Sequence, residues 1–199
     1  ILNSFYNIGS KKFNKISSTD LTSWEYIHHS DLTQNLSIFC SQDFGLYIFK
    51  SDLLFLSLRG WSGKEIHGGH NHLDQLSIEL YIEGKDIIQD PGTYNYTALK
   101  DQRWLYRSAG SHFSPFSDDL VTEKIKMDTF SSIAMTPLDK IYFDKHNFKA
   151  AFNYNGKCCY YEIKLSNNKI LINSSKLDDK ELGFSNDVRV ALGYGMILN

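Results

Sequence analysis

The chain has 199 residues, a formal net charge of −2 and a hydrophobic fraction of 42%. These values argue against disorder over the whole length and are typical of a chain that buries one sizeable core. The small net charge gives no electrostatic drive toward nucleic acid, and no apolar run is long enough to insert into a membrane. The sequence begins with Ile1 and shows no signal peptide, so we interpret it as part of a longer protein.

Residues 1–36 are polar and show no clear hydrophobic period. We interpret them as an irregular lead-in from a missing upstream domain, followed by one domain over residues 37–199. Thr19 and Asp20 precede an apolar stretch, an order that is typical of a capped helix N-terminus. A short helix is therefore predicted over Leu21–His28.

Short strand-like runs begin at Ser37, and the clearest of them is Gln75–Glu83, in which apolar and polar residues alternate with a period of two. Residues 83–86 then predict a tight turn, with Ile87–Gln89 returning as the hairpin partner. Residues 60–74 are rich in glycine and histidine and predict a loop, and residues 94–112 predict a loop or short helix. Three strands are predicted upstream, at Ser37–Cys40, Leu46–Lys50 and Leu53–Arg59.

The C-terminal half continues with short runs at nearly regular spacing. This pattern, together with many Phe and Tyr residues and only three prolines, predicts an all-β fold, an antiparallel β-sandwich. The adjacent Cys158 and Cys159 are expected to point to opposite faces of one strand. The predicted strands are Ile125–Met127, Ser132–Met135, Ile141–Phe143, Lys149–Tyr154, Cys158–Leu165, Lys169–Ser174 and Val188–Tyr194.

Histidines concentrate in one short segment, where His67, His70 and His72 are followed by Asp74. In an extended chain residues 70, 72 and 74 share one face, which suits a borderline cation such as zinc or a site for an anion. A cupin barrel also contains His-x-His, but it places a glutamate four or five residues later. Here the next glutamate is Glu79, so the spacing disfavours a cupin.

Three stretches resemble the heparinase II/III-like family of polysaccharide lyases, in the same order and at similar spacing. They are Gly69-His70-Asn71-His72-Leu73-Asp74-Gln75-Leu76-Ser77, the segment from Gly84 to Tyr96 with Asp90-Pro91-Gly92-Thr93, and the segment from Arg103 to His112. The family has asparagine after the last histidine, where this chain has Phe113. The resemblance covers about residues 38–115.

The resemblance implies the C-terminal β-sandwich of an enzyme that cleaves uronate-containing polysaccharides, such as glycosaminoglycans or alginate, by β-elimination. It implies that a helical toroid domain, which no segment here resembles, supplies the other part of the cleft. By position, His70 matches the family's catalytic histidine, and His72, Asp90 and His112 match the zinc ligands of metal-containing members. Asp74 is then expected to hold a histidine from outside the ligand set.

Further polar and aromatic residues in these stretches are candidates for contact with an acidic sugar. Tyr94 and Tyr96 suit hydrogen bonding or stacking on sugar but equally suit ordinary packing. Arg103 and Arg107 lie four residues apart and suit either a carboxylate clamp or internal salt bridges. Asn71 lies between the two key histidines. The remaining histidines, His28, His29 and His146, lie outside any motif and are interpreted as structural or exposed.

Two other classes remain open at the level of sequence. A non-catalytic carbohydrate-binding or surface-glycan-assembly sandwich would carry an exposed aromatic platform and no buried His/Asp cluster, and a cupin-like enzyme would bind its metal through a glutamate. The resemblance to exported lyases also predicts a periplasmic or secreted parent protein.

A hairpin centred on Gly84 pairs Asp90 with about Glu79 rather than with His72. The proposed metal set therefore requires residues 67–74 to bend back toward Asp90.

Overall fold

A computed structural model describes residues 13–17, 21–63, 67–68, 70–108, 111–114, 133–134, 137–154, 157–175, 191–193 and 196–197. The strands are β1 Asn14–Ser17, β2 Leu21–Ile27, β3 Ser37–Ser41, β4 Leu46–Lys50, β5 Leu54–Arg59, β6 His67–Gly68, β7 Ile78–Ile82, β8 Lys85–Ile88, β9 Ile133–Ala134, β10 Lys140–Phe143, β11 Asn147–Tyr154, β12 Lys157–Ser166, β13 Lys169–Ser175, β14 Ala191–Gly193 and β15 Met196–Ile197. One helix, α1, spans Lys100–Arg107 in the described part of the chain.

Two antiparallel sheets build the domain, as the predicted sandwich requires. One has six strands in the order β1-β2-β13-β12-β11-β10, and the other has five in the order β3-β4-β5-β7-β8. Short pairs β6-β9 and β14-β15 complete the described strands. The all-β prediction is therefore confirmed. The predicted strand Ile125–Met127 lies outside the described residues.

The inner faces of the two sheets form one apolar core. Leu54, Leu56 and Leu58 alternate with less buried residues along β5, so that one face of the five-stranded sheet is apolar. Tyr47 on β4 meets Phe148 on β11 edge to face, with ring centroids 5.0 Å apart, which joins the two sheets. Cys159 is buried while Cys158 is exposed, as their adjacent strand positions predict.

The predicted helix over Leu21–His28 is wrong, because this segment is strand β2. Thr22, Trp24 and Tyr26 are buried, and the residues between them are less so, which is a period of two rather than 3.6. Strand β2 pairs with β13 along its whole length. The predicted irregular lead-in thus contains strands β1 and β2, while residues 28–36 form turns. In β2, long-range pairing overrides the cap-like Thr19-Asp20 signal.

No helix in the described part of the chain is long and apolar enough to cross a membrane.

The turn between β10 and β11 provides a stability prediction. Asp144 accepts hydrogen bonds from the backbone N–H groups of His146 and Asn147 at 2.8 and 2.7 Å, and from the Tyr142 hydroxyl at 2.6 Å. The Tyr142 hydroxyl and these turn N–H donors lower the pKa of Asp144 to about 2. Replacing Asp144 with alanine is expected to lower the free energy of unfolding by about 1 kcal/mol at neutral pH.

The pH dependence follows from the sign of the shift. A carboxylate with a depressed pKa stabilises the fold above its unfolded pKa of about 3.9, and this contribution is lost as the pH falls toward 2. Urea unfolding of Asp144→Ala and Lys145→Ala, an exposed residue in the same turn, should therefore differ at pH 7 and converge near pH 2. Equal stability of the two variants at pH 7 would contradict the prediction.

Candidate functional site

A pocket of about 330 Å³ lies at the five-stranded sheet, where β8 ends. Its lining includes Ser57 and Arg59 of β5 and Glu79 of β7, from the strand positions that alternate with the core residues. Ser57 and Glu79 are direct cross-strand partners. The pocket is also lined by four predicted site residues, namely His72, Asp74, Asp90 and His112.

The chain reaches this pocket through a sharp bend before β7. Leu76 adopts a φ of +60°, a left-handed conformation that is rare for a bulky side chain. Its N–H donates to the Arg59 carbonyl at 2.8 Å, and the Ile78 N–H donates to the Phe113 carbonyl at 3.0 Å. These contacts bring the histidine segment and the segment that carries His112 to one place. The bend that the sequence required is present.

Asp90 and His112 form the centre of the site. His112 is 1% exposed, and its Nδ1 lies 2.5 Å from Asp90 Oδ2, while Asp90 Oδ1 accepts the Gly92 N–H at 2.8 Å. Burial alone would raise the pKa of Asp90, but the charge and hydrogen bond of His112 hold it below its usual range. Burial alone would lower the pKa of His112, but the charge and hydrogen bond of Asp90 raise the pKa of His112 above its ordinary value. The pair is therefore strongly coupled.

His72 lies against this pair, with its ring centroid 5.3 Å from that of His112. Burial and the neighbouring cationic groups lower the pKa of His72 to about 3, so the ring is neutral at pH 7. Arg103 Nη1 donates to His72 Nε2 at 3.4 Å. Since Nε2 is the acceptor, the ring proton of neutral His72 resides on Nδ1.

Arg103 lies between His72 and Tyr96. Its guanidinium carbon lies 4.5 Å from the centre of the Tyr96 ring, a cation–π contact. The Tyr96 ring in turn meets the ring of His70 edge to face at 5.4 Å, and His70 is exposed. A surface histidine, a half-buried tyrosine and a buried arginine thus follow one another into the protein.

The remaining predicted residues lie beside these groups. Arg107 is 1% exposed, and its Nε–H donates to the Asn71 carbonyl at 2.9 Å, while its own carbonyl accepts the Leu73 N–H. The C-terminal end of α1 therefore fixes the histidine segment. Tyr94, at a φ of +63°, stacks on Tyr106 at 5.2 Å. Whether these residues contact substrate stays a prediction.

Asp74 also lines the pocket, and its Oδ2 lies 3.9 Å from Arg59 Nε. Burial raises the pKa of its carboxyl group, against the opposing charges of His112 and Arg59. Burial also raises the pKa of Glu79, and Asp90 adds to this effect. Arg59 and Glu79 were not among the predicted site residues. The alternation along β5 and β7 is the sequence signal that could have found them, because it places both opposite the core.

The donor atoms of His72, Asp90 and His112 can be compared with the ligands that zinc prefers. Two imidazoles and one carboxylate are zinc ligands, and all three residues line one pocket. Their present contacts pair Asp90 with His112 and His72 with Arg103, so an ion would have to replace both contacts. Within the described residues, a tighter group is formed by His28, His29 and Glu83, whose donor atoms all lie within 4.8 Å of one another.

Comparison with known proteins finds a matching family model and a similar solved structure. Residues 37–113 match the family model described as Heparinase II/III-like, C-terminal. One similar solved structure is titled "Crystal Structure of Heparinase III", with 17% sequence identity and a TM-score of 0.40 over 65% of this chain. The chain spans 20% of the length of that structure. No curated protein matches the chain.

The match begins at β3 and ends one residue after His112. It therefore includes the whole five-stranded sheet, helix α1 and every predicted site residue, whereas the six-stranded sheet lies outside it. Residues 37–113 of this chain are thus similar to the C-terminal part of heparinase II/III-like proteins.

Proposed function

We propose that the chain is the C-terminal sandwich of a polysaccharide lyase that cleaves uronate-containing glycans by β-elimination. The observation that carries the proposal is the row of side chains from His70 at the surface, through Tyr96, to the buried Arg103 and the half-buried His72. This row places proton-transferring groups and a positive charge side by side.

The chemistry of β-elimination needs such a combination. The proton at C5 of a uronate is removed only when the charge of the adjacent carboxylate is neutralised, and the leaving oxygen at C4 must then be protonated. His70 is exposed, and the Tyr96 ring, which carries a hydroxyl group, meets it edge to face. In this proposal His70 neutralises the carboxylate or carries a proton, and Tyr96 contributes a second polar group.

A metal is a part of the same proposal. His72, Asp90 and His112 would hold zinc, in accordance with their residue types and their shared pocket. Bound there, zinc would supply a fixed positive charge near the segment that carries His70. Asp74 remains the proposed outer partner, since its charge interacts with His112.

The alternative of a non-catalytic carbohydrate-binding or surface-glycan-assembly domain fits the structure less well. Such a domain was expected to lack a buried His/Asp cluster. Buried His112 and half-buried Asp90 form such a cluster, with Nδ1 and Oδ2 2.5 Å apart, and both residues line the pocket. This contact supports the catalytic alternative.

The proposed partners are an acidic polysaccharide as substrate and a helical toroid domain elsewhere in the same protein. A periplasmic or secreted location is proposed with them, because polysaccharides of this class lie outside the cytoplasm. Nucleic acid and membrane insertion are not part of the proposal.

The division of labour between domains can be tested with the 199-residue chain itself. We expect the chain to fold by itself but to show no lyase activity, because one wet sheet surface cannot hold base, acid and neutralising group in one geometry. The ultraviolet absorbance of unsaturated uronate product, measured on a panel of uronate glycans, reports activity. Turnover by this chain that is lost in His70→Ala would show that the sandwich is a complete enzyme.

A further inference from the structure

A second group of metal-binding side chains lies where strand β2 meets the turn between β7 and β8. His28 Nε2 is 3.8 Å from Glu83 Oε2, and His29 Nε2 is 3.8 Å from Glu83 Oε1. The two imidazole rings are 4.2 Å apart. None of these residues lines the pocket described above.

The backbone and packing hold two of the three residues in place. His28 is 8% exposed, its N–H donates to the Asn168 carbonyl at 2.8 Å, and its ring stacks on Tyr26 at 6.3 Å. The Glu83 N–H donates to the Leu53 carbonyl at 2.9 Å. His28 and Glu83 are therefore positioned before any ion arrives, which lowers the cost of ordering ligands.

Glu83 occupies an unusual position in its turn. Glu83 and Gly84 are the two central residues between the paired Ile82 and Lys85, with φ values of +53° and +71°. A turn with two positive φ values favours Asn, Asp or Gly at the first position. A glutamate there is strained, and its carboxylate faces two histidines.

We infer that His28, His29 and Glu83 form a binding site for a borderline divalent cation, with zinc as the best match. Two imidazoles and one carboxylate are a zinc ligand set that leaves a fourth position for water. The three residues come from both sheets of the sandwich. His28 and His29 directly follow β2 of the six-stranded sheet, and Glu83 lies in the β7–β8 turn of the five-stranded sheet. A bound ion would therefore connect the two layers at this edge.

Zinc binding would break one local hydrogen bond. The Ser30 N–H donates to His28 Nδ1 at 3.2 Å, so in the neutral ring the proton is on Nε2. Ligation through Nε2 moves that proton to Nδ1 and breaks this hydrogen bond. The Ser30 amide is thus expected to report binding together with the histidine rings.

The test is a zinc titration of the 199-residue chain followed by the NMR signals of its histidine rings. We expect the His28 and His29 rings and the Ser30 amide to shift at zinc concentrations at least about tenfold below those that affect the exposed His146 ring. Glu83→Gln preserves the size of the side chain and should raise the zinc concentration required at least about tenfold. His29 is 75% exposed in its side chain, so His29→Ala should abolish the shifts without unfolding.

The matched control is His146→Ala, which removes an exposed histidine in another turn and should leave the response of the His28 and His29 rings unchanged. Zinc should also raise the Tm of wild-type protein more than that of Glu83→Gln. The inference is overturned if the His28 and His29 rings respond no earlier than His146, or if Glu83→Gln and wild type titrate alike. Because His28, His29 and Glu83 do not line the pocket, this outcome is independent of the proposed lyase function.

Discussion

Replacing His70 with alanine is expected to lower the kcat/KM of the proposed lyase activity of the parent protein on a uronate glycan by a factor of about 10² to 10⁴, the usual contribution of a positioned general acid or base. His70 is the exposed member of the row that leads to Tyr96 and Arg103. Since its side chain is not part of the core, the loss should appear in turnover while the Tm stays within the error of wild type.

The substitution Tyr96→Phe removes the hydroxyl group and keeps the ring, so it separates their contributions to activity. Phenylalanine preserves the edge-to-face contact with His70 and the cation–π contact with Arg103. A large loss of kcat in this variant would assign proton transfer to the hydroxyl, and His146→Ala, outside the site, should be as active as wild type. Full activity of His70→Ala would contradict the role given to His70.

Replacing Arg107 with alanine is expected to lower the free energy of unfolding by about 3 kcal/mol, through a lost charge-assisted hydrogen bond and the cavity left behind. Arg107 is fully enclosed, and burial together with the charge of Arg103 lowers its pKa to about 10. Its Nε–H donates to the carbonyl of Asn71, between the two key histidines. The variant should therefore also loosen the histidine segment.

Urea denaturation measures this effect, with Gln102→Ala as the control on the exposed side of the same helix. Gln102→Ala should change the stability by only a few tenths of a kcal/mol, because alanine favours helix. Hydrogen exchange at the amides of residues 71–73 should increase in Arg107→Ala alone. Equal unfolding midpoints for the two variants would show that Arg107 is not a structural support.

Much of the five-stranded sheet could be predicted because its local signals agree with its packing. Strand β4 has the predicted bounds Leu46–Lys50, and β7 keeps the alternation predicted within Gln75–Glu83. Strand β2 could not be predicted in the same way. Its partner β13 lies about 150 residues later in the chain, and no local pattern reveals a pairing of that range.

The family resemblance pointed to His72, Asp90 and His112 as one ligand set, and whether they bind a metal stays a prediction. The three residues line one pocket, which the chain reaches through a bend at Leu76 that no period in the sequence indicates. Arg103 and Arg107 are the clearest case of ambiguity. Their spacing suited an exposed clamp as well as internal contacts, and only the fold shows that both are buried.

The His28–His29–Glu83 group shows a further limit. Two adjacent histidines next to a strand carry no motif, and their partner Glu83 lies in a turn more than 50 residues away. Such a ligand set can be recognised only when the packing of the two sheets is known. This explains why the sequence indicated one metal site and the structure suggests a second.

The measurement that tests the central claim most directly is the mass of the products that the parent protein releases from a uronate glycan. Elimination breaks the bond between C4 and the glycosidic oxygen and forms an unsaturated uronate without consuming water, so we predict that the fragment with the new non-reducing end is lighter by one water than the corresponding hydrolysis fragment. Fragments with the full mass of the hydrolysis products would show hydrolysis. That result would contradict the proposed lyase function.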